Sequence, residues 1–380
     1  MQTRGREKPM TSMQIPMSSP DITQAEIEAV NEVLQTLWLS IGPKIEAFEQ
    51  AFADYVGCRH GIGVNSGTSG LHLAMIAAGI GDGDEVITPS FSFIASANSV
   101  LYERGTPVFV DIEPLTGNID PAQIEAAITE RTKAILVVHA FGQPADMDPI
   151  LEIARRHNLP VIEDACEAIG AEYKGRRAGT FSECAVFAFY PNKQMTTGEG
   201  GMIVTSRPDW NDLFRSLRNQ GRDTFNEWLS HSRLGYNYRL DEMSAAVGLA
   251  QIQRIDELLA KRAKVASWYD ARIARIEGVH KPYIAETTTR MSWFVYVIRC
   301  DVDRNALLAR LKECGVPSRP YFTPIHLQPL YQEQYGWKRG DLPVTEKAGD
   351  TFLALPFSGV MTEEQVDYVC QQMESIIATL

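Results

Sequence analysis

The sequence predicts an α/β protein with a mostly parallel central sheet in a large domain, followed by a smaller C-terminal α+β domain. Strand-like and helix-like runs alternate between about residues 59 and 205. Such alternation implies crossover helices that cover both faces of a parallel sheet. The chain has 380 residues, of which 44% are hydrophobic, so it can bury a large core and form two domains.

The predicted sheet is built from short apolar runs that alternate with longer amphipathic ones. The series begins with a strand at 61–64 and a helix at 71–78, and it ends with a strand at 159–162. Between them lie a strand at 85–88, a helix at 92–104, a strand at 107–110, a helix at 121–128 and a strand at 134–138. Run length and β-branched content separate the strands from the helices.

The second half of the chain predicts helices first and then a mixed domain. One helix opens at Asp241, and the next extends to about residue 276. A strand at 293–298, a helix at 304–312 and a last helix opened by a Thr362/Gln365 capping box follow. We therefore expect a flexible tail at 1–14, a large domain at 15–255 and a small domain at 256–380.

Charge and composition exclude several classes of protein. The formal net charge of −12 argues against a nucleic-acid-binding protein, which would have a basic surface. The six cysteines form no C-x-x-C pair and the seven histidines show no metal-ligand spacing, so we expect reduced thiols and no metal. No apolar run reaches the length of a membrane span, and residues 1–8 lack the apolar core of a signal peptide. We expect a cytoplasmic protein with no membrane partner.

Lys193 is the first candidate catalytic residue. It follows the apolar run 186–190 and precedes Thr196, Thr197 and a glycine-rich segment at 198–201. A buried strand followed by glycines brings the backbone close to a ligand and holds an amine partly desolvated, which favours a nucleophilic amine that forms Schiff bases. The alternative is a solvated lysine after an edge strand.

Two earlier segments supply what a pyridoxal phosphate cofactor would need. The Gly/Ser/Thr turn at 65–70 opens a helix, whose free N–H groups and dipole bind phosphate. Asp164 ends a short strand at the sheet edge where α/β proteins bind ligands, and its carboxylate could keep a pyridine nitrogen protonated. Each segment alone could be an ordinary helix cap or turn. Their order along the chain favours a cofactor site.

The chain resembles the DegT/DnrJ/StrS sugar aminotransferases, which are fold-type I pyridoxal phosphate enzymes, and within them it is most similar to perosamine synthases. The likeness covers nearly everything from about Ile15 onwards. It rests on segments 65–69 (NSGTS), 109–112 (FVDI), 118–120 (NID), 142–147 (GQPADM), 163–168 (EDACEA), 190–193 (YPNK), 235–239 (GYNYR) and 324–329 (PIHLQP).

The resemblance implies a role for each cofactor-binding residue. Lys193 would form the Schiff base with pyridoxal 5'-phosphate and then move protons as acid and base. Asp164 would pair with the pyridine nitrogen, whereas Gly67 and Thr68 would hold the phosphate. Phe93 would stack on the ring face.

The remaining implied roles concern the sugar and a second subunit. Glu167 would lie beside the phenolic oxygen of the cofactor, and Asn237 would reach the phosphate bound by the neighbouring subunit of a homodimer. His326 would line the sugar-nucleotide pocket. Arg239 and Arg222 are candidates for the pyrophosphate, as are Arg218, Arg233 and Arg319; each taken singly could equally be a solvated charge.

Two positions depart from the usual family pattern. Ala188 lies where family members commonly have a serine that contacts the cofactor phosphate. Glu167 lies where Gln or His is frequent in the family. A carboxylate at this position would be repelled by the phenolic oxygen of the cofactor unless it is protonated or shares a proton. The resemblance leaves the role of Glu167 open.

The identity of residue 193 predicts the reaction. In this family a His there gives a sugar dehydratase, so Lys193 favours amino transfer. The resemblance implies that L-glutamate is the donor and a nucleotide-linked 4-keto-6-deoxy sugar the acceptor, in amino-sugar biosynthesis for polysaccharides such as lipopolysaccharide O-antigen. The alternatives are a pyridoxal phosphate-dependent sugar dehydratase or lyase, and a non-catalytic regulator. The nucleotide, the sugar, the choice of C4 or C3 and the choice of dimer or tetramer stay open.

Overall fold

The computed structural model describes residues 15–222 and 230–380, and the predicted tail at 1–14 lies outside them. Within this part of the chain a seven-stranded sheet forms the centre of the molecule. Its strands are β1 (His60–Val64), β2 (Glu85–Pro89), β3 (Thr106–Val110), β4 (Thr132–Val138), β5 (Val161–Asp164), β8 (Cys184–Ala188) and β9 (Gly201–Thr205). Their order across the sheet is β1-β9-β8-β5-β4-β2-β3.

The sheet is mostly parallel, as predicted. The pairs β2–β3, β2–β4, β4–β5 and β5–β8 are parallel, whereas β9 runs antiparallel to both β1 and β8. Because β9 opposes both of its neighbours, β1 and β8 run in the same direction. The carboxyl ends of β1, β2, β4, β5 and β8 therefore meet at one edge.

Helices cover both faces of this sheet, and hydrophobic side chains fill the layers between them. The α-helices described up to residue 273 are α1 (Gln24–Thr36), α2 (Pro43–Val56), α3 (Gly67–Ala77), α4 (Ala95–Tyr102), α5 (Pro121–Ala127), α6 (Met147–His157), α7 (Pro208–Arg218), α8 (Glu242–Gln253) and α9 (Ile255–Ile273). A 3-10 turn at Ala140–Gly142 follows β4.

The C-terminal part is a mixture of helices and short strands, as predicted. A sheet in the order β10-β12-β13 is formed by β10 (Val279–His280), β12 (Tyr296–Cys300) and β13 (Phe352–Leu355). The helices of this part are α10 (Arg304–Glu313), α11 (Pro329–Tyr335), α12 (Pro343–Thr351) and α13 (Glu363–Ile377), and Tyr331 of α11 packs against Phe109 of β3. A second small sheet joins the two halves through β6 (Glu172–Tyr173), β7 (Arg176–Arg177) and β11 (Thr288–Arg290).

One long helix packs on both parts of the molecule. The first turns of α9, with Ile255 and Leu258, pack in a cluster beneath the large sheet. Its later residues Val265 and Tyr269 lie in the core of the C-terminal part. The boundary predicted between residues 255 and 256 thus falls at the start of α9 and stays a prediction.

Local signals in the sequence account for several element ends. Thr362 and Gln365 form the predicted capping box at the start of α13, and the Asp241 side chain caps α8 by accepting from the amides of Met243 and Ser244. The strand predicted at 293–298 begins only at Tyr296. Among the described residues, no helix combines the length and apolar character needed to cross a lipid bilayer.

Candidate active site

A cavity of about 430 Å³ lies at the carboxyl edge of the large sheet. Lys193, Asp164, Glu167, Gly67 and Phe93 all line it. They are brought together because β1, β2, β5 and β8 end at this edge, which is where open α/β sheets bind ligands. The segments that the sequence analysis took from separate parts of the chain therefore converge on one cavity.

The amine of Lys193 lies between an aromatic ring and a carboxylate. Its Nζ is 3.9 Å from the centroid of the Phe294 ring and 3.7 Å from Oε1 of Glu167. The side chain is only 13% exposed. The residue follows β8 in a turn, in which its N–H donates to the Tyr190 carbonyl at 2.9 Å. Lys193 is therefore a largely desolvated amine held inside the cavity.

Glu167 is buried and its carboxylate is only partly satisfied. Oε2 accepts a 2.9 Å hydrogen bond from the amide of Phe141, which has the left-handed φ of 60°. Burial raises the pKa of Glu167, while Lys193 and the Phe141 amide oppose the rise. The departure from Gln or His at this position thus leaves a buried carboxyl that holds its proton more tightly than an exposed glutamate does.

Asp164 ends β5 and is held by two donors. Ser96 Oγ donates to Oδ2 at 2.7 Å, and the Cys166 amide donates to Oδ1 at 3.2 Å. Ser96 is itself fully buried in the first turn of α4 and contacts Ser92 Oγ at 2.7 Å. These contacts fix the orientation of the carboxylate toward the cavity.

The amino end of α3 forms another part of the cavity wall. Ser66 caps the helix by accepting from the Ser69 amide at 3.0 Å, and the first-turn residues Gly67 and Thr68 line the cavity. A Cβ atom added to Gly67 would lie 2.8 Å from Ala188 Cβ and 2.9 Å from Cys166 Sγ. The helix start can approach β8 this closely only because residue 67 has no side chain.

Comparison with known proteins agrees with this geometry. The sequence model of the DegT/DnrJ/EryC1/StrS aminotransferase family matches residues 20–374. The chain belongs to this family.

Relatives of the family match along almost their whole length. The GDP-perosamine synthase of Caulobacter vibrioides is 46% identical over 369 residues, which cover 96% of this chain and 98% of the relative. A pleiotropic regulatory protein of Geobacillus stearothermophilus is 41% identical over 350 residues, covering 91% and 93%. Among solved structures, S. venezuelae DesV superposes with a TM-score of 0.89 at 36% identity and covers 95% of this chain and 98% of its own.

The cavity fits pyridoxal phosphate, the cofactor of this aminotransferase family. The amino end of α3, with Gly67 and Thr68 on the cavity, suits a phosphate dianion, and Asp164 offers a buried carboxylate for a protonated ring nitrogen. The Phe93 ring lines the cavity with 62% of its surface exposed, so one face is free to stack. Lys193 brings its amine into the same cavity. Gly67, Thr68, Phe93, Asp164, Glu167 and Lys193 are thus brought together, and their individual roles stay predictions.

Asn237, Arg239 and Arg222 do not line this cavity. Asn237 is exposed on a segment that runs beside the end of β1, where the Asn65 amide donates to the Tyr238 carbonyl at 2.9 Å. Arg239 lines a separate cavity of about 160 Å³ and donates to Asn219 Oδ1 at 3.0 Å. Burial and the nearby Arg222 and Arg218 lower the pKa of Arg239.

His326 lies in the packed interior of the protein. Its ring is fully buried, with Nδ1 2.7 Å from Ser90 Oγ and Nε2 3.2 Å from Glu346 Oε1. It is not among the residues around the cavity. Both ring nitrogens therefore have partners inside the core, and its place in the sugar-nucleotide pocket stays a prediction.

The C-terminal part contributes cavity residues that were not predicted from the sequence. Phe294, Tyr321 and Phe322 line the wall opposite the sheet. Burial raises the pKa of Tyr321 to about 12, helped by Glu167, so its hydroxyl stays protonated. No local motif marks these residues, because each lies more than 90 positions from the cavity segments of the sheet. Ser96 could have been found from its i, i+4 spacing to Ser92 at a helix start.

Proposed function

We propose that this family member is a pyridoxal phosphate-dependent aminotransferase that moves the amino group of L-glutamate to a nucleotide-linked 4-keto-6-deoxy sugar, as a perosamine synthase would. One observation carries the proposal: the Lys193 amine, the Asp164 carboxylate and the free amino end of α3 share one cavity. An amine, a carboxylate and a phosphate cradle are the three groups that this cofactor needs.

The residues of the cavity would divide the work. Pyridoxal phosphate, when bound, supplies an electron sink for the carbon that carries the transferred nitrogen. Lys193 Nζ would take a proton from that carbon in the donor and return one to the corresponding carbon of the sugar. Asp164 would keep the pyridine nitrogen of the cofactor protonated. Glu167 would donate its carboxyl proton to the phenolic oxygen of the cofactor, beside Lys193. The aromatic rings of Phe294 and Phe322 would exclude water from the proton transfer.

The sugar substrate is proposed from likeness together with the shape of the cavity. The GDP-perosamine synthase of Caulobacter vibrioides matches over 96% of this chain. The wall formed by Phe294, Tyr321 and Phe322 offers flat apolar surface and one phenol hydroxyl, a mixture that suits a deoxy sugar with a methyl group and few hydroxyls. We favour GDP and amination at C4.

The test is a product assay by mass spectrometry. Holoenzyme is mixed with glutamate and, in turn, GDP-, UDP- and dTDP-linked 4-keto-6-deoxy sugars. The proposal expects an amino sugar from at least one nucleotide sugar and 2-oxoglutarate in equal amount. Lys193→Ala must form neither product, whereas Lys174→Ala, which changes a surface lysine paired with Asp148, must behave as wild type. Loss of water from the sugar without amino transfer would favour the dehydratase instead.

We further propose that the active enzyme is a homodimer with shared sites. Leu37, Trp38, Leu39 and Ile41 form an apolar patch whose members are 42% to 85% exposed. The patch adjoins the Asn237 segment, because the Glu242 amide donates to the Leu39 carbonyl at 3.1 Å. A contiguous apolar surface of this kind favours association. Asn237, exposed beside it, would then reach the phosphate in the partner's cavity.

Mixing inactive subunits tests the shared site. Lys193→Ala and Asn237→Asp each remove one member of a composite site, and co-refolding them gives hybrid dimers with one intact site. Activity should then recover to about a quarter of wild type, since half of the randomly formed dimers are hybrids. If each site used groups from one subunit alone, hybrids would stay inactive. Light scattering of the wild type decides between a dimer and a tetramer.

The remaining parts of the proposal concern setting. We place the enzyme in the cytoplasm, where its six free cysteines would stay reduced, and in the synthesis of amino sugars for surface polysaccharide. A purely regulatory role, suggested by the name of the Geobacillus relative, is less favoured because the catalytic amine and its carboxylate partner are both retained.

A further inference from the structure

Arg262 is a buried charge without an acidic partner in the part of the chain that the structure describes. It lies in the middle of α9 and is only 3% exposed. Burial lowers its pKa to about 10. A guanidinium group is costly to bury unless its donors are satisfied, so such a residue needs a reason for its place.

The donors of Arg262 are satisfied by main-chain carbonyls from two distant segments. Nη2 donates to the carbonyls of Lys193 at 2.6 Å and Asn192 at 3.2 Å. Nη1 donates to those of Phe294 at 3.1 Å and Trp293 at 3.3 Å. One planar group therefore joins the turn after β8 to the segment before β12.

These two segments carry the groups that face each other in the cavity. The turn holds the Lys193 amine, and the other segment holds the Phe294 ring, 3.9 Å away. Gln194 strengthens the same junction, since its Nε2 donates to the Glu167 carbonyl at 2.5 Å and to Ser292 Oγ at 2.8 Å. The contacts of Arg262 and Gln194, which do not line the cavity, therefore determine the position of the Lys193 amine relative to the Phe294 ring and the Glu167 carboxylate.

We infer that Arg262 is a positioning residue that fixes the Lys193 amine over the Phe294 ring by clamping the carbonyls of both segments. The inference rests on the proposed function in taking Lys193 as the reactive amine. Lysine could not replace it, because a single ammonium group cannot present two donors in a fixed plane to two segments. Hydrogen bonds from a charged donor to four carbonyls also resist separation of the segments better than neutral ones.

The chain offers a matched control in a second buried arginine. Arg304 is 8% exposed and donates to the carbonyls of Phe352 at 2.8 Å and Gly349 at 2.9 Å. It is not among the residues around the active-site cavity. Arg304→Lys therefore removes the same kind of buried contact without touching the Lys193 turn.

The decisive measurement is the rate at which Lys193 is chemically modified in the apoprotein, which does not depend on enzyme activity. Wild type, Arg262→Lys and Arg304→Lys are treated with an acylating amine reagent, and the rate of modification at Lys193 is followed by peptide mapping. We expect Arg262→Lys to label about 10-fold faster, because the released turn exposes an amine that is otherwise 13% accessible. Arg304→Lys should label at the wild-type rate. Equal rates in all three proteins, or equal acceleration in both variants, would overturn the inference.

A second measurement separates this inference from the proposed function. If the sugar reaction occurs, Arg262→Lys should lower kcat up to about 100-fold with little change in KM, since a small misplacement of a reacting group has that cost. If the wild type aminates no sugar, the proposed function is refuted. The labelling rates of the apoproteins would still test the positioning role of Arg262. Should Arg262→Lys fail to fold, Arg262→Gln and Arg304→Gln, which bury no charge, give the same comparison.

Discussion

The hydroxyl of Ser96 donates a 2.7 Å hydrogen bond to Oδ2 of Asp164. The donor comes from the first turn of α4 and the acceptor from the end of β5, so the contact joins two elements that approach only in the folded chain. Both residues are buried. The carboxylate expected to hold a ring nitrogen is thus oriented by a neighbouring hydroxyl.

Ser96→Ala should lower the rate of amino transfer about 10- to 100-fold, because a hydrogen bond to a charged acceptor contributes about 1.5–3 kcal/mol. Asp164 would keep its charge and lose its fixed orientation. The measurement is the single-turnover rate with glutamate, followed by absorbance of the cofactor. Ser99→Ala is the matched control, since Ser99 is equally buried on α4 and donates to the Ser96 carbonyl instead. A rate for Ser96→Ala equal to that of the control would contradict the orienting role.

Glu167→Gln should stabilise the apoprotein above about pH 4.5, the ordinary pKa of a glutamate. A carboxyl whose pKa is raised on folding binds its proton more tightly in the folded state. The free energy of unfolding therefore falls as the pH rises from the pKa of the unfolded state to that of the folded state. The Gln variant lacks this loss. Urea denaturation from pH 4 to pH 8 measures the difference between the two proteins.

The control for this experiment is Glu199→Gln, which changes an exposed carboxylate on the same cavity. Measured in the same urea series, it reports the effect of removing a carboxylate from the cavity without changing Glu167. A pH-independent difference for Glu167→Gln would show that the carboxyl is not protonated more readily on folding.

Ala188→Ser should tighten pyridoxal phosphate binding several-fold, since a hydroxyl there restores one hydrogen bond of roughly 1 kcal/mol to the phosphate. Residue 188 lies beside Gly67 at the start of α3, where the phosphate is expected. Equilibrium dialysis of apoprotein against cofactor measures the dissociation constant. Ala78→Ser, at the far end of α3, should leave it unchanged. Unchanged or weaker binding by Ala188→Ser would count against this location of the phosphate.

His326 should destabilise the fold when it is protonated. Burial lowers its pKa below the ordinary value of 6.5, although Glu346 opposes the shift. A histidine held neutral in the folded protein contributes stability above pH 6.5 that is lost as the pH falls. His326→Gln should therefore flatten the decline in unfolding free energy between pH 7 and pH 5. His280→Gln is the control, because it removes a half-exposed histidine paired with Asp301 and leaves the buried one in place.

Much of the fold could be predicted because its signals are local. The alternation of short apolar runs and helical runs predicted the parallel sheet, and the Thr362/Gln365 pair predicted the start of α13. The strand expected at 293 failed for a physical reason. Residues 293 and 294 keep their apolar side chains, yet their carbonyls bond to Arg262 instead of to a neighbouring strand. No residue near them in the sequence indicates that Arg262, 31 positions before Trp293, is their hydrogen-bond partner.

The site divides in the same way. Lys193, Asp164, Glu167 and Gly67 follow strands whose common edge is implied by the topology, so their convergence could be predicted. Phe294, Tyr321 and Arg262 reach the site through packing between the two parts of the molecule, which no short pattern encodes. The substrate role of His326 stays a prediction, because a histidine beside Pro, Ile and Leu can face a ligand or the core. Its contacts with Ser90 and Glu346 could not be read from the neighbouring residues.

Reduction of the holoenzyme with borohydride, followed by peptide mapping, tests the central claim most directly. The account predicts that the pyridoxyl group is found on the peptide containing Lys193 and that the absorption near 410–430 nm (roughly, for the linked cofactor) disappears as it forms. A pyridoxyl group on a different lysine, or none on the protein after reduction, would contradict the account.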